Sequence, residues 1–318
     1  MNRLRLISAL LLCTYFAQAQ QLSLFTQYRE NIDIVNPAAL PTEYLAYDQN
    51  MSFGATYRKQ WTDFPGAPTT QTIRGTFFYK ERSSFNFLTG GHLINDQTGP
   101  TGFTGIYGKF GGIISKDPYY GGIGLALNAG AVQYRVNASE INLRDAGDIL
   151  GETDQNVWSP DVGFGIFAYT RFGGSRWNQG SILSGGVSVP QVLGLNLTFR
   201  GEDGEFSTQR VQHVYGHIDF IKFFRDGKFI EPSVWVKYAP NAPVNVDVNL
   251  RYQMATNFWI GAGSSLSGNL HLETGFLLGD VEYGNAFKIG YGFDYSFSTF
   301  GPDAGGTHEI NLSYSFDY

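Results

Sequence analysis

Apolar and polar residues alternate with a period of two along most of this chain. From Thr307 to Tyr318 the apolar positions Ile310, Leu312, Tyr314, Phe316 and Tyr318 interleave with Glu309, Asn311, Ser313, Ser315 and Asp317. Successive side chains of a strand point to opposite faces, so this segment has one apolar and one polar face. Val244 to Gln253 and Phe287 to Phe297 repeat the pattern, which a helix of period 3.6 cannot produce. Weaker runs lie near 50–61, 70–80, 84–95, 101–115, 120–134, 161–172, 181–190, 208–224, 228–238, 256–265 and 269–279. Together they predict fourteen strands, with no helix longer than a turn or two.

Fourteen is an even number, as a closed antiparallel bacterial barrel requires. In hydrocarbon each unpaired strand edge is costly, so the last strand must pair with the first. The predicted fold is therefore all-β: a closed antiparallel transmembrane β-barrel of about 14 strands over residues 50–318. The final strand ends on an aromatic residue, and Tyr314, Phe316 and Tyr318 form a candidate signal for the barrel-assembly machinery. Connection lengths supply an orientation. Lys80 to Ser84, Lys116 to Tyr119, Arg225 to Lys228 and Ala255 to Asn257 are tight even-numbered turns, expected to be periplasmic. Asn137 to Pro160, Gln191 to Ser207 and Ser298 to Gly306 are longer odd-numbered connections, expected to be extracellular.

The start of the chain reads as an address. Arg3 and Arg5 precede an apolar run from Leu6 to Phe16, too short to span a bilayer, and Ala17-Gln18-Ala19 is a small-residue cleavage site. Residues 1–19 are thus an expected signal peptide. Residues 20–49, with the turn-like Asn36-Pro37, are an N-terminal segment either folded into the lumen or left as a periplasmic linker.

Three features of the composition narrow the class. Glycine at 40 of 318 residues, aromatics at 16% and a mean hydropathy of −0.17 exclude a helical membrane protein but suit a barrel, whose strands are only half apolar. The single cysteine, Cys13, lies inside the signal segment, which leaves no thiol for a disulfide, a metal or nucleophilic chemistry beyond it. Removal of Arg3 and Arg5 leaves 20 basic against 28 acidic residues, so nucleic acid is not an expected partner.

Candidate chemistry is sparse, and no catalytic residue, cofactor or metal is predicted. His92, His213, His217, His271 and His308 are scattered; His213 and His217 on one strand face would stand about 13 Å apart at ~3.3 Å per residue, too far for one metal. His308 and Glu309 point to opposite faces. Asp145, Asp148, Glu152, Asp154 and Asp161 make an acidic loop, favoured as a solvated surface over a calcium site. Trp61, Trp177, Trp235 and Trp259 are candidates for aromatic girdles, although Trp235 and Trp259 also suit lipid-facing or lumenal positions. Arg58, Arg74 and Arg251 should face the lumen, since arginine at the bilayer midplane costs roughly 2–4 kcal/mol. Pro65, Pro68, Pro240 and Pro243 stiffen loops, and Pro160, Pro190 and Pro232 are expected to flank strands.

Several of these residues form an ordered series. They are Asn36-Pro37-Ala38; Tyr57 to Trp61 followed by Phe64-Pro65-Gly66 and Pro68; and Gly91 to Gly111 with Asn95-Asp96. Pro160 to Gly165, Gly186 to Pro190, Pro232-Ser233-Val234 with Lys237-Tyr238, Pro243-Val244 and Thr307 to Ile310 continue it. In this order the chain resembles the PorP/SprF family of the Bacteroidetes type IX secretion system; the stretches from Tyr134 to Trp158 and from Asn196 to Gln209 carry no matching pattern. The resemblance implies a non-enzymatic outer-membrane component of protein secretion and, in gliding bacteria, of adhesin delivery. It also implies partners: the translocon, periplasmic ring proteins or lipoproteins of the machinery, or the C-terminal domain of a secreted adhesin. Asn36, Pro37, Arg58, Trp61, Pro65 and Gly66 are the candidate partner or plug contacts. A second reading, a channel for hydrophobic small molecules of the fatty-acid-transporter type, fits the same strand count.

Overall fold

The computed structural model describes residues 25–318 except 82–83, 138–153, 174–179, 195, 202–203, 225–226, 256, 280–283 and 298–301. Its strands are β1 (Met51–Lys59), β2 (Thr69–Tyr79), β3 (Phe85–Thr98), β4 (Thr101–Ile114), β5 (Gly121–Val136), β6 (Gln155–Phe172), β7 (Ser181–Val189), β8 (Asn196–Gly201), β9 (Gly204–Gln209), β10 (Val214–Phe223), β11 (Phe229–Tyr238), β12 (Asn245–Ala255), β13 (Phe258–Ser265), β14 (Asn269–Leu278), β15 (Asn285–Ser296) and β16 (Thr307–Phe316). Fourteen of them close into an antiparallel barrel, with β8 and β9 left out as a separate two-stranded sheet. The seam joins β1 to β16 in a register running from Met51 opposite Phe316 to Lys59 opposite His308. The start of β1 and the end of β16 therefore share one rim, here the terminal rim. Connections after odd-numbered barrel strands gather at the opposite, loop rim.

The period-two pattern becomes an inside-out distribution of polarity. On β16, Glu309, Asn311, Ser313 and Ser315 are buried toward the lumen, while Ile310, Leu312 and Tyr314 are exposed on the outer wall. On β12, Asp247, Asn249 and Arg251 face in, and Val248 and Leu250 face out. This arrangement suits a wall surrounded by hydrocarbon, with every backbone ladder closed on itself. Arg58, Arg74 and Arg251 all point into the lumen and are buried there.

Several expectations need correction. The run predicted at 208–224 is divided, since β9 ends at Gln209 and β10 begins at Val214. The stretch expected as a loop up to Pro160 is partly strand: β5 and β6 pair from Gly121/Thr170 to Val136/Gln155. Pro160 lies inside β6, opposite Ala131, where β6 has no β7 partner because that ladder begins only at Phe164. Pro232 is also interior, in β11, and the β10–β11 ladder lapses between Asp219/Ser233 and Lys222/Ile230 around it. A proline cannot donate to a ladder, so it is tolerated where a partner is missing. Asp161 belongs to β6 and not to an acidic loop; Asp145, Asp148 and Glu152 lie outside the described residues. Trp235 and Trp259 are fully buried on the lumenal face and form no girdle, and Trp177 lies outside the described residues.

Candidate functional site

Residues 25–50 run through the barrel interior, and almost all of them are buried. The segment consists of a 3-10 turn at Tyr28–Asn31, a single helical turn at Ile32–Val35 and a short helix at Thr42–Tyr47. Local chemistry sets these breaks. Asn36 Oδ1 accepts the Ala38 amide at 3.0 Å, which makes a side-chain turn around Pro37. Asp48 ends the second helix in a left-handed conformation, its N–H shared by the Glu43 and Tyr44 carbonyls.

The segment descends from the loop rim to the terminal rim through layers of different chemistry. At the top, the Thr26 and Gln27 amides donate to the two carboxylate oxygens of Glu309 at 2.8 and 2.9 Å. Thr26 Oγ1 donates to Asp294 at 2.8 Å, and Arg58 reaches Asp294 at 2.7 Å and Glu309 at 3.4 Å. Below them Arg29 pairs with Glu273 and donates to Ser233 Oγ at 2.6 Å. Tyr28 stacks on Trp235 with ring centroids 4.9 Å apart and donates to Asp219 at 3.1 Å.

Mid-lumen, Glu30 binds Lys288 and Arg251, each at 2.6 Å. Arg251 also holds Glu231 at 2.6 Å, and Lys288 holds Glu43 at 2.9 Å. Burial pushes the Glu30 carboxyl up, but the two cations outweigh it and hold it well below the usual carboxylate range. Asp33 accepts from Thr76 at 2.6 Å and faces Arg74 at 3.6 Å and Lys109 at 3.8 Å. Burial raises it too, and these cations again lower it on balance.

Near the terminal rim the wall turns apolar. Phe78, Leu88, Ile113, Phe167, Ile182, Ile221, Phe223 and Phe229 form an inward collar, and Leu40, Tyr44 and Leu45 of the segment fill it. Tyr44 and Tyr169 both donate to the Pro118 carbonyl, at 3.1 and 2.6 Å, closing the base.

The wall is shaped to receive the segment. Asn36 donates to the Ile166 carbonyl at 3.1 Å and lies 3.3 Å from His217 Nε2. A Cβ on Gly165 would sit 1.9 Å from Asn36 Oδ1, and one on Gly186 2.5 Å from its Nδ2. Both glycines are therefore required by this docking. Space left beside the segment includes a cavity of about 50 Å³ lined by Phe25, Val35, His92, Tyr107 and Asn128, room for a water or two.

The predicted contact residues fall in two places. Asn36, Pro37 and Arg58 lie in the lumen. Trp61, Pro65 and Gly66 lie in the loop after β1, where Trp61 has a left-handed φ of 46° and Gly66 one of 71°. That loop is tied to two others: the Thr62 amide donates to the Gly306 carbonyl at 3.1 Å, and the Gly99 amide to the Gly66 carbonyl at 2.8 Å. Tyr314 faces outward beside Phe316, and Tyr318 follows β16 with its side chain exposed. Sequence reasoning missed Arg29, Glu30, Asp33 and Glu43 of the segment and Lys109 and Lys288 of the wall. The available signal was charge at inward positions of the strands, matched by opposite charge in the segment. Asp161 is a further missed partner, holding Arg210 at 3.1 Å and Tyr107 at 2.7 Å. Of the histidines, His217 and His271 pair with Asp219 and Asp294, each at 2.8 Å, and His308 meets the Tyr291 hydroxyl on the outer wall. Among the described residues no three metal-ligating groups cluster.

A closed fourteen-stranded wall with an apolar outer face and a charged, filled lumen defines an outer-membrane β-barrel protein. Solved structures agree on the fold. The CymD monoaromatic hydrocarbon channel is similar at 9% identity and a TM-score of 0.53, over 85% of this chain and 89% of that one. The toluene transporters TodX of Pseudomonas putida and TbuX of Ralstonia pickettii are similar at 10% and 9% identity, with TM-scores of 0.52 and 0.53. TodX aligns over 91% of this chain and 94% of its own, TbuX over 90% and 93%. A search of curated proteins finds no match. The family model for type IX secretion system membrane protein PorP/SprF matches residues 17–314, and the chain belongs to that family.

Proposed function

We propose that this membrane barrel of type IX secretion is a non-conducting scaffold or adaptor that grips its protein partner at a rim and not through the lumen. The observation that supports this is the filled interior: residues 25–49 occupy it from one rim to the other, held by buried ion pairs and an apolar collar. The partners that fit are secretion machinery, whether translocon, periplasmic ring proteins or lipoproteins, or the C-terminal domain of a secreted adhesin in a gliding bacterium. Trp61, Phe64, Pro65 and Gly66, braced by two neighbouring loops, form the candidate contact at the loop rim. Removal of residues 1–19, short turns in the periplasm and recognition of Tyr314, Phe316 and Tyr318 by the barrel-assembly machinery complete this reading. A channel for hydrophobic molecules needs an apolar passage, and the apolar part of this lumen is occupied by Leu40, Tyr44 and Leu45.

Affinity purification from the native outer membrane tests the proposal, together with conductance in planar bilayers. Co-recovery of secretion proteins and a silent bilayer are expected. A barrel recovered alone with bound lipid, or one that conducts steadily, would overturn it.

A further inference from the structure

The seam between β1 and β16 differs from every other strand pair of the barrel, because it joins the two ends of the chain. Neighbouring strands are tied by connections, most of them short, but Lys59 meets His308 across almost the whole sequence. Contacts of such separation are the slowest to form, since loop closure precedes any gain from them. The register of the seam also needs specification, because a slip of one residue in either strand would turn its inward charge, Arg58 or Glu309, toward lipid.

The N-terminal segment contacts this seam at three heights. Four cross-strand pairs face inward there: Arg58/Glu309, Thr56/Asn311, Gly54/Ser313 and Ser52/Ser315. At the first, the Thr26 and Gln27 amides bind Glu309 while Arg58 approaches Thr26 Oγ1 at 3.5 Å. At the second, Thr56 donates to Asn31 Oδ1 at 3.0 Å and itself accepts from Asn311 at 2.8 Å, so Asn31 fixes Thr56 of β1 and through it Asn311 of β16; Thr72 of β2 also donates to Asn31 Oδ1, at 3.4 Å. At the fourth, Ser315 donates to Gln49 Oε1, and Asn50 exchanges bonds of 3.0 and 3.2 Å with the Tyr318 backbone. Only Gly54/Ser313 lacks such a contact; Arg74 covers Gly54 instead.

We infer that residues 25–50 have a second function: they are an intramolecular template on which the β1–β16 seam closes in register. The lumenal face of the seam is a peptide-binding site, and its ligand is a segment of short helical turns offering two consecutive amides, then an asparagine, then a glutamine and an asparagine at the strand entrance. Other contacts of the segment, such as Asp33 with Thr76, hold it to the wall without touching the seam.

Cysteine pairs can time the seam separately from the rest of the barrel. In a Cys13→Ser background, Ala55→Cys with Leu312→Cys places one pair across the seam, and Val234→Cys with Val248→Cys places another across the β11–β12 hairpin. During refolding of the full chain into lipid vesicles, oxidation of each pair is followed by gel shift. Asn31→Ala and Thr26→Pro should slow the seam pair at least tenfold and leave the hairpin pair within about twofold of the parent. Asp33→Asn, which loosens the segment away from the seam, should leave both pairs near the parent rate. The inference is overturned if the seam and hairpin pairs respond equally to Asn31→Ala and Thr26→Pro, whether both slow or neither does. It is overturned equally if Asp33→Asn slows the seam as much as Asn31→Ala.

Discussion

The two halves of the lumen hold the same segment by opposite means. Toward the terminal rim, Leu40, Tyr44 and Leu45 sit in a collar of phenylalanine, leucine and isoleucine, where attraction is non-directional and grows with buried area. Mid-lumen, Glu30 and Asp33 meet Arg251, Lys288, Arg74 and Lys109, where each group has only a few positions that satisfy it. Taking charges out of water costs several kcal/mol per ion, so the charged half gains little net stability over an apolar one. Its strength is selective: any other sequence in that place leaves buried charges unpaired. The collar seals, and the charged layer discriminates.

The largest effect is expected from Arg251→Ala. It removes the closest cation of Glu231 and leaves Glu30 with Lys288 alone, and should cost about 3–5 kcal/mol. The shift in urea midpoint of the heat-modifiable gel band measures it. Replacing three members together, Arg251→Met with Glu30→Gln and Glu231→Gln, which leaves Lys288 paired with Glu43, should restore most of the loss while blunting discrimination against a scrambled segment. Leu45→Ala in the collar should cost roughly 2–4 kcal/mol, with no rescue by any change of charge.

Gly165→Ala should cost about 1–3 kcal/mol through its collision with Asn36, and the penalty should largely vanish in an Asn36→Gly background. A double-mutant cycle with independent effects would show that the recess does not exist. The smallest effect is expected from pH. Glu30 and Asp33 titrate lower when folded than when unfolded, so their contribution is complete above the ordinary carboxylate range. It fades only as pH falls below ~4 toward the folded values. The part of the segment's protease protection that Glu30 and Asp33 supply should therefore be lost only in acid below ~4. With Glu30→Gln that acid-dependent loss should shrink.

Much of the wall was legible from sequence because period two reports directly which side of a strand is wet. Alternation set Glu309 on the polar face and Leu312 and Tyr314 on the apolar one, the cost of arginine in lipid set Arg58 inward, and the structure agrees. Alternation says nothing about what stands opposite an inward side chain. Lys288 and Glu30 lie 258 residues apart, and no local pattern announces their contact. Prolines misled in a physical way: Pro160 and Pro232 looked like strand ends, yet each sits where a neighbouring ladder is missing or lapsed. Trp235 and Trp259 were ambiguous because an aromatic near a strand end suits a headgroup or a filled lumen equally well. The β8–β9 hairpin escaped notice since it belongs to neither the wall nor the segment.

Phe25 lies toward the loop rim and Gln49 at the strand entrance, with the intervening chain running down the axis of a closed ring. Such a thread has no hinge about which to swing. Pulled from its Phe25 end it can leave only lengthwise, rupturing its attachments in series down to Asn50, where it joins β1, so the force to extract it is set by the strongest single layer and not by their sum. That mechanical difference separates a tether from a door: a load applied along the membrane normal would be borne layer by layer, and the wall around it would stay shut.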